Sequence, residues 1–236
     1  MDTNNVFSDI YETLKSKGKR KMIIGITGFV GSGKTFFAKE FVQFLKEKKI
    51  NSLHFRMDIY NSSTRSDRNA VIASLKDKYD PNWPRRAYPQ NTNLIKNHLT
   101  NIKQERSFSA PNLCDPATKK LDFPIEFLFS KEITTIKLGK EENKYDKNNL
   151  WILCDGVKLI EYKDYLDCII FLRAEYETRF NRLLERNKSL PSPANIRKDL
   201  FDDLENNLIL DHDLKEEHAN IIVDNDNYND KKIVKL

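Results

Sequence analysis

One stretch limits the fold more than any other: Gly28-Phe29-Val30-Gly31-Ser32-Gly33-Lys34-Thr35, a complete G-x-x-x-x-G-K-[ST] motif. Its flanks are the ones such a motif requires. The apolar run Met22 to Ile26 precedes it and reads as a buried strand. Phe37, Phe41, Phe44 and Leu45 follow at helical spacing and define one apolar face. A strand, a glycine-rich turn and a helix in that order turn backbone N–H groups inward around an anion. The helix N-terminus adds partial positive charge. The amides from Gly28 through Phe36, with Phe29, Val30, Gly31, Ser32 and Gly33 between, are therefore candidate nucleotide-binding groups. Lys34 is placed to reach the β- and γ-phosphates, and the Thr35 hydroxyl to hold Mg²⁺.

With 236 residues, 39% of them hydrophobic and 32% charged, the chain is long enough for one α/β domain with a proper core, expected to span 1–236. No apolar run approaches the ~20 residues of a membrane span. Met1-Asp2-Thr3-Asn4-Asn5 lacks the basic start of a signal peptide, so a cytoplasmic protein without membrane partners is expected. The formal charge of +5 comes from 40 basic and 35 acidic residues that are interspersed, which fits an anionic substrate and does not argue for nucleic acid, so no nucleic-acid partner is expected. Cys114, Cys154 and Cys168 have no metal-ligand spacing, and the last two sit in apolar runs, as buried free thiols do. His54, His98, His212 and His218 form no metal pattern and are assigned surface or satisfied roles.

Along the chain, helices are expected at about 5–20, 34–48, 66–77, 92–104, 175–186 and 194–209. Strands are expected at about 22–27, 53–57, 150–154, 168–172 and 219–223. Residues 109–116 and 140–149 read as loops, and Asp80 to Pro84 as a turn. Alternation around 121–138 points to a hairpin, part of a small β-rich excursion over about 107–140. Ser189 to Pro193 breaks the helical pattern, which gives a hinged lid over about 176–200. Continuous apolar strands alternating with helices imply a mostly parallel central sheet with helices on both faces, the α/β three-layer sandwich of P-loop NTPases. In such sheets ligands sit at the strand C-terminal ends, where the motif, Asp58 and Asp155 all fall.

Phosphoryl transfer needs a phosphate cradle, a metal, and a group that orients or deprotonates the acceptor. Asp155 follows an apolar strand, where a carboxylate can support Mg²⁺; an ordinary Asp-Gly turn is the alternative. Asp58 also follows a strand and can accept a proton from a substrate hydroxyl, or merely cap a turn. Arg179, Arg182 and Arg186 share a helix face, either as a solvated face or as cations of a closing lid. Asn187-Lys188-Ser189-Leu190 lacks the Asp of the guanine-reading N-K-x-D motif, which weighs against a GTP switch.

In this order the residues resemble the uridine kinase, phosphoribulokinase and pantothenate kinase group of P-loop kinases over most of 22–223. Met57-Asp58-Ile59-Tyr60 is similar to that group's strand-end Asp-x-Phe-Tyr, and Asn82-Trp83-Pro84-Arg85-Arg86-Ala87-Tyr88 to its Asp-His-Pro-x-Ala-Phe. Ala110-Pro111 to Lys120 resembles the Pro-x-Tyr-Asp segment, and Cys154-Asp155-Gly156 stands at the Glu-Gly after the fourth core strand. Glu175 to Asn187 is close to the lid pattern, and His218 to Val223 fits the closing strand. The resemblance implies ATP (or another NTP) as phosphate donor, Mg²⁺, and a small-molecule hydroxyl as acceptor. It also implies catalytic roles for Asp58 as base and for Lys34, Arg182 and Arg186. Tyr60, Asn82, Arg86 and Arg179 become candidate substrate-binding residues, and self-association, common in the group, becomes an expectation. Departures fall on the acceptor side. Asn82 replaces the ribose-gripping Asp, Leu113 and Cys114 stand near the missing Tyr, the pyrimidine-reading His is lacking, and Leu183 replaces one lid Arg. A buried polar site discriminates through such groups. An altered acceptor is thus implied, with pantothenate or sugar-acid phosphorylation, or a nucleotide-binding regulatory role without efficient transfer, as alternatives.

Overall fold

The computed structural model describes residues 3–75, 78–188 and 197–236. They fall into two compact units, one formed by 1–55 with 150–236 and the other by 56–149.

The first unit is built on a six-stranded sheet. Its strands are β1 (Met22–Thr27), β2 (Asn51–Arg56), β7 (Leu150–Asp155), β8 (Cys168–Arg173), β9 (Ile221–Asp224) and β10 (Lys232–Lys235), in the order β10-β9-β8-β1-β7-β2. The pairs β1–β7, β1–β8 and β8–β9 are parallel, and β10 is antiparallel to β9. Every residue of β1 and β7 is buried, because a central parallel strand is covered on both sides. That is why these strands read as unbroken apolar runs rather than alternating ones. Helices α1 (Thr3–Ser16) and α2 (Lys34–Glu47) share the core on one face, where Phe7 packs on Phe37 and Phe41 at 5.1 and 5.4 Å between ring centres. Aromatic pairs at these spacings contribute beyond their buried area. Helices α6 (Tyr176–Lys188) and α7 (Lys198–His212) follow β8. The Ser189 to Pro193 helix break lies outside the described residues.

The second unit carries helices α3 (Arg65–Ser74), α4 (Trp83–Ala87) and α5 (Thr92–Lys103). It also carries a four-stranded antiparallel sheet, β3 (Phe108–Cys114), β4 (Leu121–Phe129), β5 (Ile133–Leu138) and β6 (Glu141–Asp146), paired in sequence order. Helix α3 begins with a capping box in which Thr64 and Asp67 bond each other's backbone amides. His98, Phe108 and Phe127 stack through the core of this unit, with ring centres 4.3 and 4.9 Å apart.

Two segments expected as loops are strands. Residues 108–114 pair with β4 despite Pro111, because the ladder shifts register between Ala110 and Leu113 and asks no N–H of the proline. Residues 141–146 pair with β5 along their whole length. A charged strand is ordinary at a sheet edge, where no face needs an apolar stripe, so its polar composition concealed it. No helix among the described residues is long and apolar enough to cross a membrane.

Candidate active site

The loop between β1 and α2 is made by backbone conformations that side chains resist. Gly31 and Gly33 have φ of 82° and 90°, and Gly33 caps α2. Space is as restrictive as torsion. A Cβ on Gly31 would lie 2.4 Å from the carbonyl oxygen of Arg179, and one on Gly33 would lie 2.7 Å from Asn225 Nδ2. The loop is thus pressed between α6 and the segment after β9. Asn225 Nδ2 donates to the Ser32 carbonyl at 2.7 Å, and the Tyr228 ring packs on Phe36 at 5.1 Å. Phe36 itself is half exposed. Lys34 Nζ donates to the carbonyls of Gly28 and Phe29 at 2.9 and 2.7 Å, so its ammonium lies over the loop it belongs to.

β1 and β7 run side by side, with Ile26 opposite Asp155. That register brings the Thr35 hydroxyl to Asp155 Oδ2 at 2.5 Å. The other carboxylate oxygen accepts from His54 Nε2 at 2.9 Å. The carboxylate only accepts, so the imidazole presents Nε2–H. Asp155 is buried and is held by a hydroxyl on one side and a ring N–H on the other. Asp155 and Thr35 are hard oxygen donors and fit Mg²⁺, which usually keeps several waters and takes few protein ligands. Among the described residues no group of three or more His, Cys, Asp or Glu is arranged to hold a metal. His54, read from sequence as a surface or satisfied histidine, is the orienting neighbour of the Asp155 carboxylate. Its place on β2, beside β7 in the sheet, was its only trace in the sequence. Asn225 left none.

The three arginines of α6 do not share an environment. Arg179 is buried, with its guanidinium paired to Glu205 of α7 and its Nε donating to the Ala174 carbonyl at 2.8 Å. Its ring neighbours are Phe29, Tyr176 and Phe201, with the guanidinium 4.9 Å from the Phe29 centre. Burial holds its pKa below the ordinary value. Arg182 is half-buried, donates to the carbonyls of Asn225 and Asp226 at 2.7 Å each, and stacks 3.8 Å from the Tyr228 centre. Arg186 is exposed.

In the second unit Asp58 lies in a 3₁₀ turn, Met57–Tyr60, directly after β2, with its side chain 47% exposed. Arg56 Nη2 and Lys119 Nζ stand 3.6 and 3.8 Å from its Oδ2. Tyr60 is buried and shares a hydrogen bond of 2.9 Å with His98 Nδ1. Burial pulls the His98 pKa down to about 4, so the ring is neutral at pH 7. Asn82 and Arg86 are exposed; Asn82 caps α4, and Arg86 pairs with Asp80 at 2.7 Å. Burial raises the pKa of Cys114, Cys154 and Cys168, and all three are free thiols.

The chain is similar to several proteins that are named as kinases. Uridine kinase of Leuconostoc citreum is 27% identical over 175 residues, which is 72% of this chain and 70% of that protein. A possible uridine kinase from Bacillus stearothermophilus superposes with a TM-score of 0.52 at 16% identity, over 86% of this chain and 88% of that one. Phosphoribulokinase from Rhodobacter spheroides superposes with a TM-score of 0.55 at 8% identity, over 87% and 70% of the two chains. Fold and phosphate loop define the class: a P-loop NTPase. Within P-loop proteins, the model of the KAP family P-loop domain matches residues 3–234, and the chain belongs to that family.

Proposed function

We propose that the chain transfers the terminal phosphate of ATP, or another nucleoside triphosphate, to a hydroxyl of a small molecule. The observation that carries this reading is the Thr35–Asp155 pair at 2.5 Å beside the glycine-built loop. Together these supply a phosphate cradle and a hard-oxygen metal site at the end of parallel strands. In this reading the amides of Gly28 to Phe36 hold the phosphates, and Lys34 exchanges the carbonyls of Gly28 and Phe29 for phosphate oxygens. Thr35 and Asp155 would hold Mg²⁺, which when bound would supply neutralisation of charge on the donor. Asp58 takes the proton of the acceptor hydroxyl, and half-exposure keeps its carboxylate open to a substrate.

Arg182 and Arg186 serve as lid cations, and Arg186 stands exposed on α6. Tyr60, Asn82 and Arg86 border the acceptor. The ion pair of Arg179 with Glu205 favours a structural tie over acceptor contact. The resemblance of the acceptor segments to uridine kinases makes a nucleoside the first acceptor to try, and a sugar acid or pantothenate the second.

Mg²⁺-dependent ATP consumption, screened across nucleosides, pantothenate, sugars and sugar acids, tests the reading. Asp58→Asn is expected to lower turnover by about 10²–10⁴ while nucleotide titration stays unchanged. Lys34→Ala is expected to weaken both. Near-wild-type transfer by Asp58→Asn overturns the base assignment. Tight ATP binding with no hydroxyl compound stimulating its consumption overturns transfer and leaves a nucleotide-binding regulatory protein.

A further inference from the structure

Around Asp58 the charges do not balance. Arg56 and Lys119 approach its carboxylate to 3.6 and 3.8 Å, within ion-pair range but beyond a good hydrogen bond. A third cation stands in the same group, since the charges of Arg68, Lys119 and Asp58 all act on the buried Cys114 thiol. Arg56 and Lys119 therefore flank one carboxylate, and Arg68, whose charge also acts on Asp67, stands near Lys119. Asp115, the other carboxylate in reach of Lys119, is already occupied by the amides of Ala117 and Thr118 at 2.6 and 2.8 Å.

The cations are also held in place. Arg68 donates from Nε to Ser63 Oγ at 3.0 Å and from Nη2 to the Ser63 carbonyl at 3.1 Å. The Lys119 side chain is 16% exposed, and its burial lowers its pKa against the pull of Asp58. Arg56 Nε is buried with no hydrogen-bond acceptor among the described residues. Partly desolvated cations in excess, one with an unmet buried donor, are costly in a protein that never binds an anion there. They are ready-made for one that does, because a fixed guanidinium offers paired N–H groups to a carboxylate or a phosphate.

We propose that the Asp58 cluster takes an anionic acceptor: a small hydroxyl compound whose own carboxylate or phosphate is held by Arg56, Arg68 and Lys119. The inference deepens the kinase reading and rests on it for the role of Asp58. It selects a hydroxy acid or sugar phosphate over an uncharged nucleoside. The anionic group anchors the molecule on the cations, and its hydroxyl is left to Asp58.

The test measures binding apart from transfer. Calorimetry with a non-hydrolysable ATP analogue and Mg²⁺ compares D-gluconate with D-glucitol, and D-ribulose 5-phosphate with D-ribulose. The two pairs separate a carboxylate from a phosphate. At least one anionic member is expected to bind about tenfold or more tightly than its neutral counterpart, and to weaken as salt rises. Lys119→Gln and, independently, Arg56→Gln are expected to lose about tenfold for the anionic member and to leave the affinity for the ATP analogue unchanged. Lys119→Arg keeps the charge and is expected to retain binding. If no anionic member outbinds its neutral counterpart, the inference is overturned. Equal losses for the charged and neutral members overturn it too, because they mark a structural role. An anionic compound that binds through Lys119 yet is never phosphorylated supports the cation site and overturns the transfer reading instead.

Discussion

Replacing Arg179 by Met separates two roles for the α6 arginines. The side chain is buried, and its guanidinium meets Glu205, itself buried, across α6 and α7. Removing one partner of a buried pair strands the other charge, at a cost of about 3–5 kcal/mol. For a chain of this size each kcal/mol moves the melting temperature by about 2–4 °C, so the variant is expected to melt roughly 6–20 °C below wild type at pH 7. The stranded carboxylate of Glu205 relieves its cost by taking a proton, and its folded pKa in the variant rises above the unfolded value. The deficit is therefore largest above the folded pKa and shrinks as pH falls toward the unfolded one. The double variant Arg179→Met/Glu205→Leu removes both charges and is expected to recover most of the loss. Calorimetric melting of wild type, Arg179→Met and the double variant at pH 7 and pH 5 measures all of this. Arg179→Met with an unchanged melting temperature and a collapsed turnover would refute the structural tie and return Arg179 to the acceptor.

Two further outcomes follow from His54 and His98. His54→Ala is expected to weaken the Mg²⁺-dependent part of nucleotide binding by about 10–100-fold, as loss of an orienting neighbour does, while His54→Gln keeps an N–H toward Asp155 and restores most of it. A fluorescent-nucleotide titration with and without Mg²⁺ reads the difference, and equal losses in both conditions would contradict the orienting role. His98 stays neutral when folded, with its pKa lowered from 6.5 to about 4 by burial, so the unfolded chain binds a proton first as pH falls. Its contribution is complete above pH 6.5 and is lost down to pH 4. The shift corresponds to at most about 3 kcal/mol, and solvent screening reduces this to about 1–2 kcal/mol. Urea unfolding of wild type and His98→Gln should converge by that amount between pH 7 and pH 4.5, and parallel curves would contradict it.

Much of the fold was legible because its signals are local. The glycines at 28, 31 and 33 and the apolar runs of β1, β7 and β8 report their own conformation within a few residues. Helices α2 and α5 announced themselves by an apolar face, and both lie close to their expected ranges. Strands β3 and β6 did not, because one carries a proline at a register shift and the other a charged edge. Their conformation is imposed by β4 and β5, to which they pair.

The sequence by itself determined that a phosphate loop sits between a buried strand and a helix, since torsional freedom and apolar periodicity are properties of neighbouring residues. It also named Thr35, Asp58 and Asp155 as the oxygen groups to watch. Only the tertiary structure decided what each side chain meets. Asp155 is shared between Thr35 and His54, and Arg179 turns inward to Glu205. Asn225 ties down a loop 193 positions away, and Arg56 and Lys119 crowd Asp58 with positive charge. Such pairings depend on strand order and register, which bring distant positions within a few ångströms, and no pattern along the chain encodes them.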